Sequence, residues 1–158
     1  MAEGEFALVR QHLEIALSKS AAWVGEHDLY AMLADAAAQQ RDEAALRRYA
    51  PLAEEAAARY DHKLYQAIAH RARGVAHRLK GEHAEAEARL QQALELFRGL
   101  DTRWQIGRTL FELGELARVR ADAPGAREHF ARALAAFEEI GAAPDAARAR
   151  AALERRPV

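Results

Sequence analysis

The chain has 158 residues, of which 51% are apolar and 30% charged, with a formal net charge of −1 and no cysteine. Near-neutral charge argues against a broad basic face of the kind that grips nucleic acid. The missing cysteines exclude disulfides, thiolate metal sites and cysteine nucleophiles. Ala, Leu, Glu and Arg dominate, with only four prolines and nine glycines, so the composition points to an all-α domain large enough to build its own core.

No apolar run approaches the roughly 18 residues of a membrane span. The start, Met-Ala-Glu-Gly-Glu, carries no apolar leader segment. The expectation is a cytoplasmic protein with no membrane or nucleic-acid partner. Residues 5–20 read as a first helix, with Phe6, Val9, Leu13 and Leu17 on one stripe and Leu8, His12 and Ile15 beside it. Residues 21–40 read as the next helix, carrying Trp23, Val24, Leu29, Tyr30, Leu33 and Ala37. Asp42 caps a helix running to about Tyr60, in which Pro51 predicts a kink or break near Ala50. Asp61 is expected to cap a helix to Lys80, which Gly81 ends. His83–Arg98 follows, then Asp101 as the cap of 102–120. Pro124 starts a helix that Gly141 stops, and Pro144 starts a polar end helix over 144–156 anchored by Leu153.

Between Leu64 and Ile140 the pattern repeats after forty residues. Gly74 and Gly114 correspond, as do Ala86 and Ala126, Leu90 and Phe130, Ala93 and Ala133, and Phe97 and Phe137. A fainter copy lies forty residues earlier. A fixed period of this size predicts stacked helix pairs: repeats 21–60, 61–100 and 101–140, preceded by the helix of 5–20 and closed by the end helix. The small residues Gly74, Gly114, Ala86 and Ala93 let paired helices approach closely.

This small-residue pattern resembles the tetratricopeptide repeat (TPR) family, in a forty-residue variant like the TPR segments of bacterial signalling ATPases and transcription regulators. The matching residues are Gly74, Ala86, Leu90 and Ala93 in one copy, and Leu113, Gly114, Ala117, Ala126, Phe130 and Ala133 in the next. Departures are Arg73 in place of a leucine, and His70 and His77 at aromatic positions. The resemblance implies a right-handed helical repeat solenoid of about three antiparallel helix pairs, in which the first helix of each pair lines a concave surface. It further implies a non-catalytic protein–protein interaction scaffold, bacterial and regulatory. The chaperone-tail clamp of that family needs asparagines. This sequence has none, and the matching positions hold Ala31, Asp35, Arg71 and Val75.

On that face the candidate partner-binding residues are Asp35, Arg71, Val75, Arg78, Arg108, Phe111, Glu115 and Arg118. Apolar side chains would form a floor, and the guanidiniums would meet an acidic or amphipathic peptide or helix. The competing reading is a solvated face with intra-helix pairs, Glu115 with Arg118 and Arg108 with Glu112. His70 and His77 read as packing residues, since no metal-binding spacing accompanies them; no metal and no cofactor are expected. Ser18, Ser20, Thr102 and Thr109 sit in no nucleophile turn, and Glu54-Glu55 and Glu138-Glu139 are adjacent, so an enzyme is not expected. Trp23 and Trp104 read as packing residues. Two alternatives remain: a homodimer or larger self-assembly through residues 5–20, and a small-ligand sensor with His70, Arg73 and His77 in a pocket.

Overall fold

The computed structural model describes residues 8, 10–16 and 26–155. Phe6, Val9, Leu17, Trp23, Val24 and Arg156 lie outside them. The described residues are all-helical, with no strand among them. A helical segment at 10–16 precedes α1 (Glu26–Gln40), α2 (Glu43–Arg59), α3 (Lys63–Leu79), α4 (His83–Gly99), α5 (Arg103–Val119), α6 (Ala123–Glu139) and α7 (Ala143–Glu154). The five helices α2 to α6 are each 17 residues long.

The turns set this regularity. Arg41, Asp61, Gly81, Asp101, Ala121 and Gly141 all have positive φ, one at every twentieth residue. At each turn the next amide reaches back to the helix, as in Asp42 N–H to the Ala37 carbonyl, Glu82 N–H to His77 and Ala142 N–H to Phe137. This is the Schellman arrangement, which satisfies the last carbonyls of a helix through one left-handed residue. The forty-residue sequence period is thus two copies of a twenty-residue helix and turn.

Asp61 and Asp101 are these left-handed residues rather than caps, a correction to the sequence reading. His62 and Thr102 stand at the N-caps, and neither makes a side-chain cap bond. Asp42 caps as expected, accepting from the Ala45 amide, and Asp122 caps as well, accepting from the Gly125 amide. Pro51 does not break α2, which runs through it. The proline costs one backbone donor, at about 3 kcal/mol in a helix interior. Tyr49, Ala50 and Ala53, all buried, hold the helix on both sides of it.

Consecutive helices pack as pairs, and α1 also packs against α3, which in turn touches α5. One core cluster joins α1, α2 and α3 through Leu33, Leu46, Tyr49 and Val75. A second joins α4 to α7 through Leu90, Leu110, Phe130 and Phe137. Between them lies a small cluster of Ala31, Ala67, Ile68, Ala93 and Phe97. Helix α5 is central: every residue from Gly107 to Ala117 is buried. Close approach depends on its glycines. A Cβ at Gly114 would come within 2.6 Å of Phe130 Cε1, and one at Gly107 within 2.7 Å of Phe137 Cε1. At Gly74 it would meet Leu90 Cγ at 2.7 Å. Each buried phenylalanine contributes about 1.5–3 kcal/mol by leaving water.

Candidate functional site

The odd-numbered helices carry one continuous row of charged side chains. On α5, Trp104, Arg108, Phe111, Glu115 and Arg118 are spaced by three and four and share a face. On α3 the row is Arg71, Val75 and Arg78, and on α1 it is Asp35. Asp35 is its hub. Its carboxylate accepts from Arg71 Nη2 at 2.8 Å and from both Nη groups of Arg108 at 2.8 and 3.0 Å. Arg78 Nη2 donates to Glu112 at 2.7 Å. Glu115 accepts from Arg118 at 2.8 Å and lies 3.6 Å from Arg41.

Burial and charge set the protonation here. Burial alone would raise the Asp35 pKa; Arg108 and Arg71 together outweigh it and hold the carboxyl far below its ordinary value of 3.8. Arg71 moves the other way from a simple ion-pair partner. Burial first, then the neighbouring Arg108 cation, lower its pKa to about 10, because it shares one carboxylate with a second guanidinium. Its Nε and that of Arg78 are buried without a hydrogen-bond partner. The guanidinium carbon of Arg71 lies 5.0 Å from the Phe97 ring centroid.

The sequence-derived residues therefore divide. Arg71, at 2% exposure, is fully inside, and Val75, Arg78, Arg108, Phe111 and Glu115 are buried as well. They are brought together, but as a braced floor whose guanidiniums are spent on Asp35 and Glu112. Arg108 pairs with Asp35, not with Glu112 as the intra-helix reading had it, whereas the Glu115–Arg118 pair forms as read. Of the eight, Arg118 keeps an open side chain, at 47% exposure.

Three further residues extend the face. Arg41 follows α1 with its side chain 41% exposed, and Arg148 on α7 is 52% exposed. The Arg148 guanidinium carbon stacks 4.3 Å from the Phe111 ring centroid. Trp104, read from the sequence as packing, is 41% exposed. Its indole N–H donates to Asp145 at 2.8 Å, and Arg108 lies over its ring at 4.7 Å. Its register partner Leu64 gave the packing expectation. The signal that could have found Trp104 is its spacing from Arg108 and Phe111.

His70 and His77, read from the sequence as packing residues, are engaged with polar neighbours. His70 Nδ1 lies 3.0 Å from Arg89 Nη1, and His77 Nδ1 lies 2.5 Å from Glu82. Burial, then the Arg89 cation, lower the His70 pKa against the opposing pull of Glu54. Among the described residues no group of three or more His, Asp or Glu is placed to hold a metal. No described helix is long and apolar enough to cross a membrane. In the 10–16 segment, Leu13 packs on the first core cluster, Arg10 pairs with Asp42, and Tyr49 donates to Glu14. Leu8 and Ile15 are exposed.

No protein-family model matches the chain, and comparison with curated proteins and with solved structures finds no match to either.

Proposed function

We propose that the chain is a TPR-like, right-handed helical solenoid whose odd-numbered helices dock an acidic segment of a partner protein, without catalysis. The observation that carries this reading is the charge of that face. Six arginines (41, 71, 78, 108, 118 and 148) stand against five carboxylates (Asp28, Asp35, Glu112, Glu115 and Asp145). The surplus is carried outward by Arg41 and Arg118 at one end of the face, and toward the other by Arg148, which shares Asp145 with the exposed Trp104. Trp and Arg are the residue types that dominate binding energy when a partner covers them. Carboxylates arriving there meet half-free guanidiniums, that of Arg148 already oriented by stacking on Phe111. The floor beneath is fixed by its own ion pairs, so little ordering is left for binding to drive. A cytoplasmic, regulatory setting in a bacterium accompanies the TPR resemblance.

Peptide display tests the reading. Selection on the wild-type chain should enrich sequences rich in Asp and Glu. The Arg118→Glu/Arg148→Glu double variant changes only open side chains, and should bind the selected peptides about tenfold more weakly or worse. Selection without acidic enrichment, or equal binding by the double variant, would overturn it.

A further inference from the structure

A further cavity lies away from this face. It is a cleft of about 160 Å³ between α2 and α3, lined by Glu43, Leu46, Arg47 and Pro51 on one side and Arg73, Ala76, His77 and Lys80 on the other. The repeat supplies an internal control for it. Forty residues on, the same positions lie between α4 and α5, and there they are closed. Leu113 and Leu116 stand where the cleft has Arg73 and Ala76, and both are buried. Glu87 and Arg120 stand where it has Arg47 and Lys80, and they form an ion pair at 2.6 Å.

The first copy thus departs from the second in two linked ways. Arg73 and Ala76 replace the two leucines of the later interface, while Leu46 on the facing helix replaces Ala86. The first copy also exchanges an opposite-charge pair for two cations. Among the described residues Arg47 forms no ion pair, and Lys80 acts only electrostatically on Glu82, whose carboxylate is bonded to His77. Arg73 gives only its Nε to Glu54, at 3.0 Å, and Glu54 is shared with Arg89. His77 is taken by Glu82. The exposed carboxylate of Glu43 is the one acid lining the cleft. Three cations, Arg47, Arg73 and Lys80, thus gather on the walls of one unfilled gap, where an anion would find charge-assisted donors from both helices.

We infer that this cleft binds a small organic anion, its phosphate or carboxylate group held by Arg47, Arg73 and Lys80. A short apolar portion lies against Leu46, Pro51 and Ala76. Pockets for drug-sized ligands run to roughly 300–1,000 Å³, so the cleft fits a smaller molecule. The site is separate from the face of the odd-numbered helices and stands or falls independently of the function proposed for it.

Calorimetric titration with butyl phosphate, pentanoate and inorganic phosphate, at matched ionic strength, tests the inference. Saturable binding of butyl phosphate or pentanoate is expected, and which of the two binds tighter tells a phosphate from a carboxylate ligand. Inorganic phosphate should bind more weakly than butyl phosphate. Arg47→Glu should weaken the binding by about tenfold or more, through loss of a charge-assisted hydrogen bond. This exposed substitution also recreates the opposite-charge pair of the later copy, so the fold should hold, which far-UV circular dichroism checks. Ala76→Leu should block binding by filling the floor. No saturable binding by either organic anion, or equal binding by both variants, would overturn the inference.

Discussion

At the scale of single residues, Asp35 does most to decide what the odd-helix face can be. Among the described residues it is the one carboxylate hydrogen-bonded to both Arg71 and Arg108, and it is separated from them by 36 and 73 positions in the chain. Removing its charge leaves two guanidiniums together in a buried setting. Asp35→Asn should therefore cost about 3 kcal/mol, toward the lower end for a broken buried pair, and lower the melting temperature by roughly 10 °C. The pH dependence has a definite sign. The Asp35 pKa is depressed in the fold, so its stabilisation is complete above the unfolded value near 3.8 and is lost as pH falls below it toward the folded value. Thermal melts of the wild type should fall off below about pH 4 more steeply than those of the variant. An unchanged melting temperature, or parallel acid profiles, would count against the hub.

At the scale of the element, the helix and turn repeat every twenty residues, and the turn carries its own strain. Gly81 and Gly141 occupy the left-handed position without penalty, but Arg41, Asp61, Asp101 and Ala121 occupy it with a side chain. Ala121 has no side-chain hydrogen bond to offset the cost. Ala121→Gly should raise stability by about 1 kcal/mol, read as a higher urea midpoint with an unchanged slope; a lower midpoint would refute the strain. The helices themselves were legible in the sequence because period, glycine and alanine placement are local signals: Gly74 against Leu90 and Gly114 against Phe130 could be paired from spacing alone. The capping residues were not all legible. An Asp one position before a helix and an Asp in a left-handed turn precede the same pattern of residues, which is why Asp61 and Asp101 were misplaced by one position.

At the scale of the whole molecule, the face of the odd-numbered helices was legible as a row and not as a surface. Spacing puts Arg71, Arg78, Arg108 and Arg118 on common stripes. It says nothing of which stripes are roofed by a neighbouring helix, and pairings across 34 or 73 positions leave no local trace. Three of those arginines proved to be internal braces, while Arg118 joins Trp104, Arg41 and Arg148 in the part that a partner can reach. The departure of Arg73 from leucine was visible in the sequence, but its meaning emerged only when the closed copy at Leu113 and Leu116 could be compared with the open one.

The docking of an acidic segment across this face is tested most directly by the emission of Trp104. In a Trp23→Phe background it is the sole tryptophan. Titration with an acidic peptide from the display selection should give a saturable change in its emission. The affinity should fall as salt is raised, because the cations involved are exposed and screened. A peptide that binds with the Trp104 emission unchanged, or with an affinity indifferent to salt, would contradict the assignment of this face as the docking surface.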